Sequence, residues 1–147
     1  SVRTLTLDVL TLCDEHLKSR DVARRIDEIE DGLRVKGNAV QLSQVLVNLI
    51  LNACDAIEGA ADRWIHLNWR KIDGQAQLSV TDSGTGIPAD HVEMIFKPFF
   101  TSKAVGKGTG LGLSIVQKIV HGHGGTISVD RSCPNTRFVL CLPLCPP

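Results

Sequence analysis

Between Val40 and Ile57 the chain is apolar on nearly every side of a helix. Val45, Leu46, Val47, Leu49, Ile50, Leu51, Ala53, Cys54, Ala56 and Ile57 leave little to turn to water. A helix apolar all round is a buried helix, so it must be enclosed by further elements. Yet it carries Gln41, Gln44, Asn48, Asn52 and Asp55, which fall within an arc of about 80° at roughly 100° per residue. An unpaired buried polar group costs about 1–3 kcal/mol. The stripe therefore either bonds other protein groups or lines a wet cavity that holds a polar ligand.

The rest of the chain supplies the enclosure. Leu5 to Leu17 has helical apolar spacing, and a short strand is expected at Val22–Ile26. Acidic residues and Gly32 then turn the chain, and Leu33–Lys36 is expected to return as a second strand. Arg63–Lys71 and Gln75–Asp82 alternate as strands around Asp73-Gly74, a strong hairpin signal. A short helix is expected near Asp90–Phe96 and a longer one from Leu111 to His121, closed by Gly122, Gly124 and Gly125. Thr126–Asp130 and Arg137–Leu142 make a last strand pair. Strand pairs separated by helices predict an α+β two-layer sandwich with a mixed, mostly antiparallel sheet.

At 147 residues the chain has the size of one domain able to bury a full core. Lys plus Arg equals Asp plus Glu at 16 each, which argues against a nucleic-acid or anionic-membrane surface. No uninterrupted apolar run nears the ~20 residues of a bilayer span, and the start lacks a signal-peptide layout. The five cysteines, Cys13, Cys54, Cys133, Cys141 and Cys145, lack zinc-site spacing even with His121 and His123 nearby. Ordinary reduced thiols and a cytoplasmic compartment are the expectation.

In the central hairpin the inward phase reads Ile65, Leu67, Trp69, then Ala76, Leu78, Val80 and Asp82. A carboxylate on the core phase needs donors. Gly84 and Gly86 follow at once, and glycine allows close backbone approach to a ligand. "DSGTG" is then either a tight turn capped by its own Asp82 or a buried acceptor beside a bare backbone surface. The second arrangement suits a flat ring with an exocyclic amino donor, such as adenine. In "GKGTGLGLS" the glycines 106, 108, 110 and 112 lead into an amphipathic helix, with Lys103 and Lys107 nearby. Free N–H groups at a helix start form an anion site, and the abrupt run into the helix argues against the alternative of a flexible linker. Two look-alikes fail. "GTGIPA" matches a dinucleotide fingerprint, but no Asp or Glu lies between Glu93 and Asp130 to hold a ribose. "GKGTG" lacks the spacing of a P-loop and the Ser/Thr after its lysine.

Together these segments resemble the ATP-binding catalytic domain of bacterial sensor histidine kinases, in the superfamily that includes gyrase, mismatch-repair and heat-shock-chaperone ATPases. "NLILNACDA" resembles the N box, "DSGTGIP" the first glycine box, "IFKPFF" the F box and "GKGTGLGLS" the second glycine box, in family order. "HGHGGTISV" and "NTRFVLCLPL" resemble the closing helix turn and last strands. The resemblance runs from about Leu5 to the end. It implies a Bergerat-type fold with helices on one face of the sheet, and ATP and Mg²⁺ as ligands.

The resemblance also assigns residues. Asn52 would ligate Mg²⁺, Asn48 would line the phosphates, and Asp55 would lie near the adenine or phosphate edge. Asp82 would accept from the adenine amino group, with Gly84, Gly86 and Ile87 close to the base and Thr136 supporting Asp82. Residues from Thr101 to Gly110 would form a lid, with Lys103 on phosphate. Phe100, Thr109, Leu111 and Leu113 complete the implied nucleotide site, and Gly108, Gly110 and Gly112 would offer backbone donors. Hydrolysing members of the superfamily carry a Glu where this chain has Asn48, and an amide cannot take a proton from water, so a kinase is favoured. "PFFTSK" followed closely by "GKGTGLGL" resembles the subgroup of nitrogen-regulatory and dicarboxylate sensors.

The family's phosphoacceptor motif, a His followed by an acid, an Arg and a Pro, has no counterpart here. His16 lacks that context and reads as a solvated helix residue; His66 and His91 read as surface residues and His123 as structural. The expectation is one catalytic domain, residues 1–147, that acts on a histidine in a separate dimerisation and phosphoacceptor domain and meets a response regulator only indirectly. Two other readings fit the same motifs: a nucleotide-binding switch or docking module without transfer chemistry, and an ATPase of the same superfamily.

Overall fold

A computed structural model describes residues 1–98 and 112–146. The apolar stretch folds as α2 (Ala39–Ala56), on which both α1 (Val2–Ser19) and α3 (Gly112–Gly122) pack. α1 starts at Ser1, whose hydroxyl accepts from the Thr4 N–H at 3.3 Å, and buries Val2, Thr6, Val9, Leu10, Cys13 and Leu17 at helical spacing. α2 starts at Asn38, whose side chain accepts from the Gln41 N–H at 3.0 Å. Among the described residues α2 alone is long and apolar enough to cross a membrane by length and composition. Its Leu42, Val45, Leu46, Leu49, Ile50, Ala53 and Cys54 are buried in the core, which accounts for that composition.

The helices cover one face of a five-stranded sheet. The strands are β1 (Ala23–Ile26), β2 (Trp64–Ile72), β3 (Gln75–Asp82), β4 (Thr126–Val129) and β5 (Thr136–Pro143), in the order β1-β2-β3-β5-β4. β1 runs parallel to β2 and the other pairs are antiparallel, so the sheet is mixed and mostly antiparallel as expected. Ile65, Leu67, Trp69, Ala76, Leu78, Val80, Phe138, Leu140 and Leu142 point inward and are buried. Their alternates, such as Asn68, Ser79 and Ser128, are polar and partly exposed. This is the period-two pattern of a sheet solvated on one side. A buried polar contact fixes α1 on the sheet: Trp69 Nε1 donates to Thr6 Oγ1 at 2.9 Å, and that hydroxyl donates to Val2 O at 2.7 Å.

The β2–β3 turn has Asp73 at φ 51° and Gly74 at φ 74°, the two positive values of a type I′ hairpin. Two expected elements are not regular. Leu33–Lys36 forms one bridge, Val35 to Leu144, and no strand. Within that bridge Cys145 N donates to Arg34 O at 2.9 Å, while Leu33 O is taken by Val2 N at 3.1 Å. Asp90–Phe96 is a succession of turns. Its bonds run from His91 N to Pro88 O, Met94 N to His91 O and Lys97 N to Met94 O, with a single four-residue bond from Ile95 N to His91 O at 3.0 Å, so no run of consecutive helical bonds builds up.

Candidate functional site

On α2, Gln41 and Gln44 differ from the positions that follow: Gln41 and Gln44 are exposed, while Asn48, Asn52 and Asp55 are half-buried. Among the described residues the Asn48 and Asn52 carboxamides have no hydrogen-bond partner. Among the described residues the polar stripe is therefore not consumed by protein groups at these two positions, and it is fit to bind a polar ligand. Asp55 differs. Its Oδ1 lies 2.9 Å from Arg20 Nη1 at the end of α1, and the same guanidinium reaches Glu58 Oε2 at 3.7 Å. Asp55 thus ties α2 to α1.

Asp82 ends β3 on the inward phase, opposite Thr136 in the register, and is only 2% exposed. Its Oδ1 accepts from the Gly84 N–H at 2.7 Å, and the Thr136 side chain also bonds it. Burial pushes its pKa up to about 6, against the lowering effect of those two hydrogen bonds. No lysine or arginine pairs with it among the described residues. It is a desolvated acceptor held open by a peptide and a hydroxyl. Burial likewise pushes the Cys54 thiol up to about 11, with the charges of Asp55, Cys13 and Asp82 adding to the effect. α2 packs on β3, with Cys54 on its buried face.

The turn after Asp82 explains its glycines. A Cβ on Gly84 would stand 2.7 Å from Asp82 Oδ1 and 2.9 Å from Thr136 Oγ1. Gly86 has φ +94°, and the place of its missing Cβ faces open space. Gly86 N donates to Thr136 Oγ1 at 3.0 Å, and Asn135 Nδ2 donates to Gly84 O at 3.2 Å. Ser83 turns away, its Oγ donating to Asp62 O at 2.9 Å while its N donates to Trp64 O at 3.0 Å. Both readings of "DSGTG" hold at once: Asp82 caps its own turn and remains a buried acceptor. Ile87 is half-buried against the core, and Leu113 occupies the first turn of α3 beside exposed Gly112. Phe100, Thr101, Lys103, Gly108, Thr109, Gly110 and Leu111 lie outside the described residues.

Asn135 and Ser83 carry no signal of a role in the sequence. A lone Asn before a strand reads as an ordinary turn residue, and only the register of β5 against β3 brings it to the glycine turn. The histidines are placed more plainly. His123 Nδ1 lies 2.8 Å from Ile119 O, and Nε2 accepts from the Asn38 N–H at 3.1 Å, so the ring fastens the end of α3 to the start of α2. Gly37 is needed there, since a Cβ would come within 2.5 Å of that ring. His66 is half-buried beside Asp27 rather than free on the surface. His16 is half-buried rather than solvated, and its Nε2 is enclosed without a partner among the described residues.

The chain is similar in sequence and in fold to known proteins. The chain is 41% identical over 133 residues to the C4-dicarboxylate transport sensor protein DctB of Rhizobium meliloti, covering 90% of this chain and 21% of that protein. It is 40% identical over 121 residues to the sensory histidine kinase/phosphatase NtrB of Rhodobacter capsulatus, covering 75% of this chain and 34% of that protein. The chain thus spans about a fifth to a third of these curated relatives. The solved catalytic domain of histidine kinase ThkA superposes with a TM-score of 0.85 at 33% identity, covering 99% of this chain and 95% of that one. ThkA has also been solved in complex with response regulator protein TrrA, with a TM-score of 0.80 at 30% identity over 97% of this chain and 40% of that one. The family model for histidine kinase-, DNA gyrase B- and HSP90-like ATPases matches residues 37–146, from the cap of α2 through β5, and to that family this chain belongs.

Proposed function

We propose that this chain is the ATP-binding catalytic domain of a sensor histidine kinase and that it donates the γ-phosphoryl group of Mg·ATP to a histidine on a dimerisation and phosphoacceptor domain. The observation that carries the reading is Asp82: a buried carboxylate with no cation beside it among the described residues, held by the Gly84 N–H and Thr136 next to an open glycine surface. A ligand amino group is the donor such an acceptor lacks, and the place of the missing Gly86 Cβ is open. Asp82 then reads the base edge.

Asn48 and Asn52 suit the phosphate end, because both are half-buried carboxamides on an otherwise apolar helix, without a partner among the described residues. Asn52 offers an amide oxygen to Mg²⁺, which when bound would neutralise phosphate charge. Asn48 offers a neutral contact and no base. That favours an incoming imidazole over water as the nucleophile: the P–O bond to ADP breaks as a P–N bond forms. What the residues of this chain contribute is positioning and exclusion of competing acceptors. The attacking histidine would come from a segment beyond these residues, with a response regulator downstream. DctB and NtrB, as sensor proteins, support the assignment, and the complex of ThkA with TrrA supports the downstream step. In this reading the domain works in the cytoplasm, without nucleic acid or direct membrane contact.

Two measurements test it. Calorimetric titration with ATP and a non-hydrolysable analogue should show binding that strengthens with Mg²⁺. Labelled ATP together with a separate phosphoacceptor domain should give acid-labile, base-stable label on that domain and none on this chain alone. Binding without transfer to any cognate domain would leave a nucleotide switch. Steady phosphate release by the chain alone would make it an ATPase.

A further inference from the structure

The glycine turn has little packing of its own. Gly84 and Gly86 carry no side chains, Thr85 is exposed, and Gly86 sits at φ +94°. Glycine gives up more conformational freedom on ordering than any other residue, so such a turn keeps one shape only if other groups hold it. On the side of the last hairpin Gly84 lies against Thr136, but Thr85 to Ile87 do not close on the hairpin. There a cleft of about 180 Å³ separates Thr85, Gly86 and Ile87 from Val129, Asp130 and Asn135. What crosses from that hairpin is two hydrogen bonds from consecutive residues: Asn135 Nδ2 to Gly84 O at 3.2 Å, and Gly86 N to Thr136 Oγ1 at 3.0 Å. They bracket Thr85 and fix the carbonyl on one side of it and the N–H on the other.

The hairpin is itself anchored. Asp130 Oδ1 accepts from Ser132 N at 3.0 Å and from Ser132 Oγ at 2.6 Å, closing the turn. Arg137 Nε donates to Thr81 Oγ1 at 2.9 Å, pinning β5 to β3 one residue before Asp82. Asn135 thus projects from a rigid base onto a soft turn.

We propose that Asn135 is a positioning residue for base recognition: with Thr136 it clamps the turn from Gly84 to Gly86 across the cleft, and so sets the shape that the turn and Asp82 present to the base. This rests on the reading of Asp82 as the acceptor for an adenine amino group. Asn135 does not touch the base. It acts through the peptide groups of the turn.

The test uses Asn135→Ala and Asn135→Asp. The second keeps the size of the side chain but turns a donor into an acceptor facing Gly84 O. Affinities for ATP and GTP are measured by calorimetry, and amide hydrogen exchange at Thr85 and Gly86 is followed without nucleotide. Both variants should weaken ATP about five- to tenfold, the effect of losing one part-buried hydrogen bond, while GTP, which has no amino group at that position, changes little. The ATP-to-GTP affinity ratio should fall by a similar factor, and exchange at Gly86 should rise at least about tenfold. A lower melting temperature with ratio and exchange both unchanged would make Asn135 merely structural and overturn the proposal. If the unmodified chain binds no adenine nucleotide, the underlying reading fails and takes the proposal with it; if it binds and the variants keep its ratio, the proposal alone fails.

Discussion

Asp82→Asn should make the protein more stable at pH 8 and at the same time remove its grip on adenine. In the folded chain burial raises the Asp82 pKa from 3.8 to about 6, so below pH 6 the folded state holds a proton that the unfolded chain releases near pH 4. A carboxylate with a raised folded pKa penalises folding where it is ionised. The penalty is absent below about pH 4, grows between pH 4 and 6, and is complete above about pH 7. About two units at 1.36 kcal/mol each set its ceiling near 3 kcal/mol. An amide in its place keeps an oxygen for the Gly84 N–H and carries no charge, so the substitution recovers up to that amount. In a chain of about 150 residues this raises the melting temperature by up to about 6–12 °C. Thermal melts of both proteins from pH 4 to 8 provide the check. Groups common to both cancel in the difference, which should be near zero at pH 4 and largest at pH 8. The same titration predicts that ATP affinity of the unmodified chain falls about tenfold between pH 7 and 5, beyond any change that the Asp82→Asn variant shows. A variant no more stable at pH 8, or a difference independent of pH, would refute the claim that Asp82 is held ionised against its desolvation.

Three further outcomes follow from the same geometry. Gly84→Ala should cost about 1–3 kcal/mol of stability and more than tenfold in ATP affinity, because its Cβ would stand 2.7 Å from Asp82 Oδ1 and 2.9 Å from Thr136 Oγ1; melting and calorimetry read both. Asn52→Ala should leave stability unchanged or raise it by about 0.5 kcal/mol, since an amide without a partner among the described residues gives way to a better helix former. It should weaken ATP binding more with Mg²⁺ than without, and equal loss in both conditions would remove Asn52 from the metal role. Thr6→Val should destabilise by about 1–3 kcal/mol, because Trp69 Nε1 loses its acceptor at 2.9 Å, whereas Thr6→Ser should keep most of the stability in denaturant titrations.

The fold is legible wherever one local pattern has a single cheap solution. The Asp73-Gly74 turn between alternating strands admits little but a type I′ hairpin, and one forms. The all-round apolar run admits little but a core helix, and α2 is one. Leu33–Lys36 reads as a strand because apolar and polar residues alternate there. Pairing, however, needs a neighbouring edge over several residues: Leu33 O goes to the start of α1, and the Val35–Leu144 bridge, with Cys145 N on Arg34 O, is not extended into a ladder. Asp90–Phe96 has helical apolar spacing, but after Pro88 its bonds are mostly three-residue turns, with the one four-residue bond from Ile95 N to His91 O left unextended.

The site divides the same way, and the division shows what kind of information a sequence carries. Asp82 can be found because strand phase is local: counting by twos from Ile65 and Leu78 puts a carboxylate inside, and an inside carboxylate demands a reason. Asn48 and Asn52 can be found because helical phase is local too. Asp55 shares that phase, but its Oδ1 contacts Arg20, 35 residues away, and nothing in either neighbourhood announces the pair. Asn135 is the stronger case. It reaches Gly84 across 51 positions, and only the antiparallel register of β5 on β3, set by a row of buried side chains from Ala76–Leu142 to Val80–Phe138, delivers it there. The groups proposed to face the ligand are therefore visible as violations of local pattern, since each is left polar where packing asks for apolar. The groups that hold them in place violate nothing. They satisfy ordinary turns and caps, and their role exists only once the core has fixed the register.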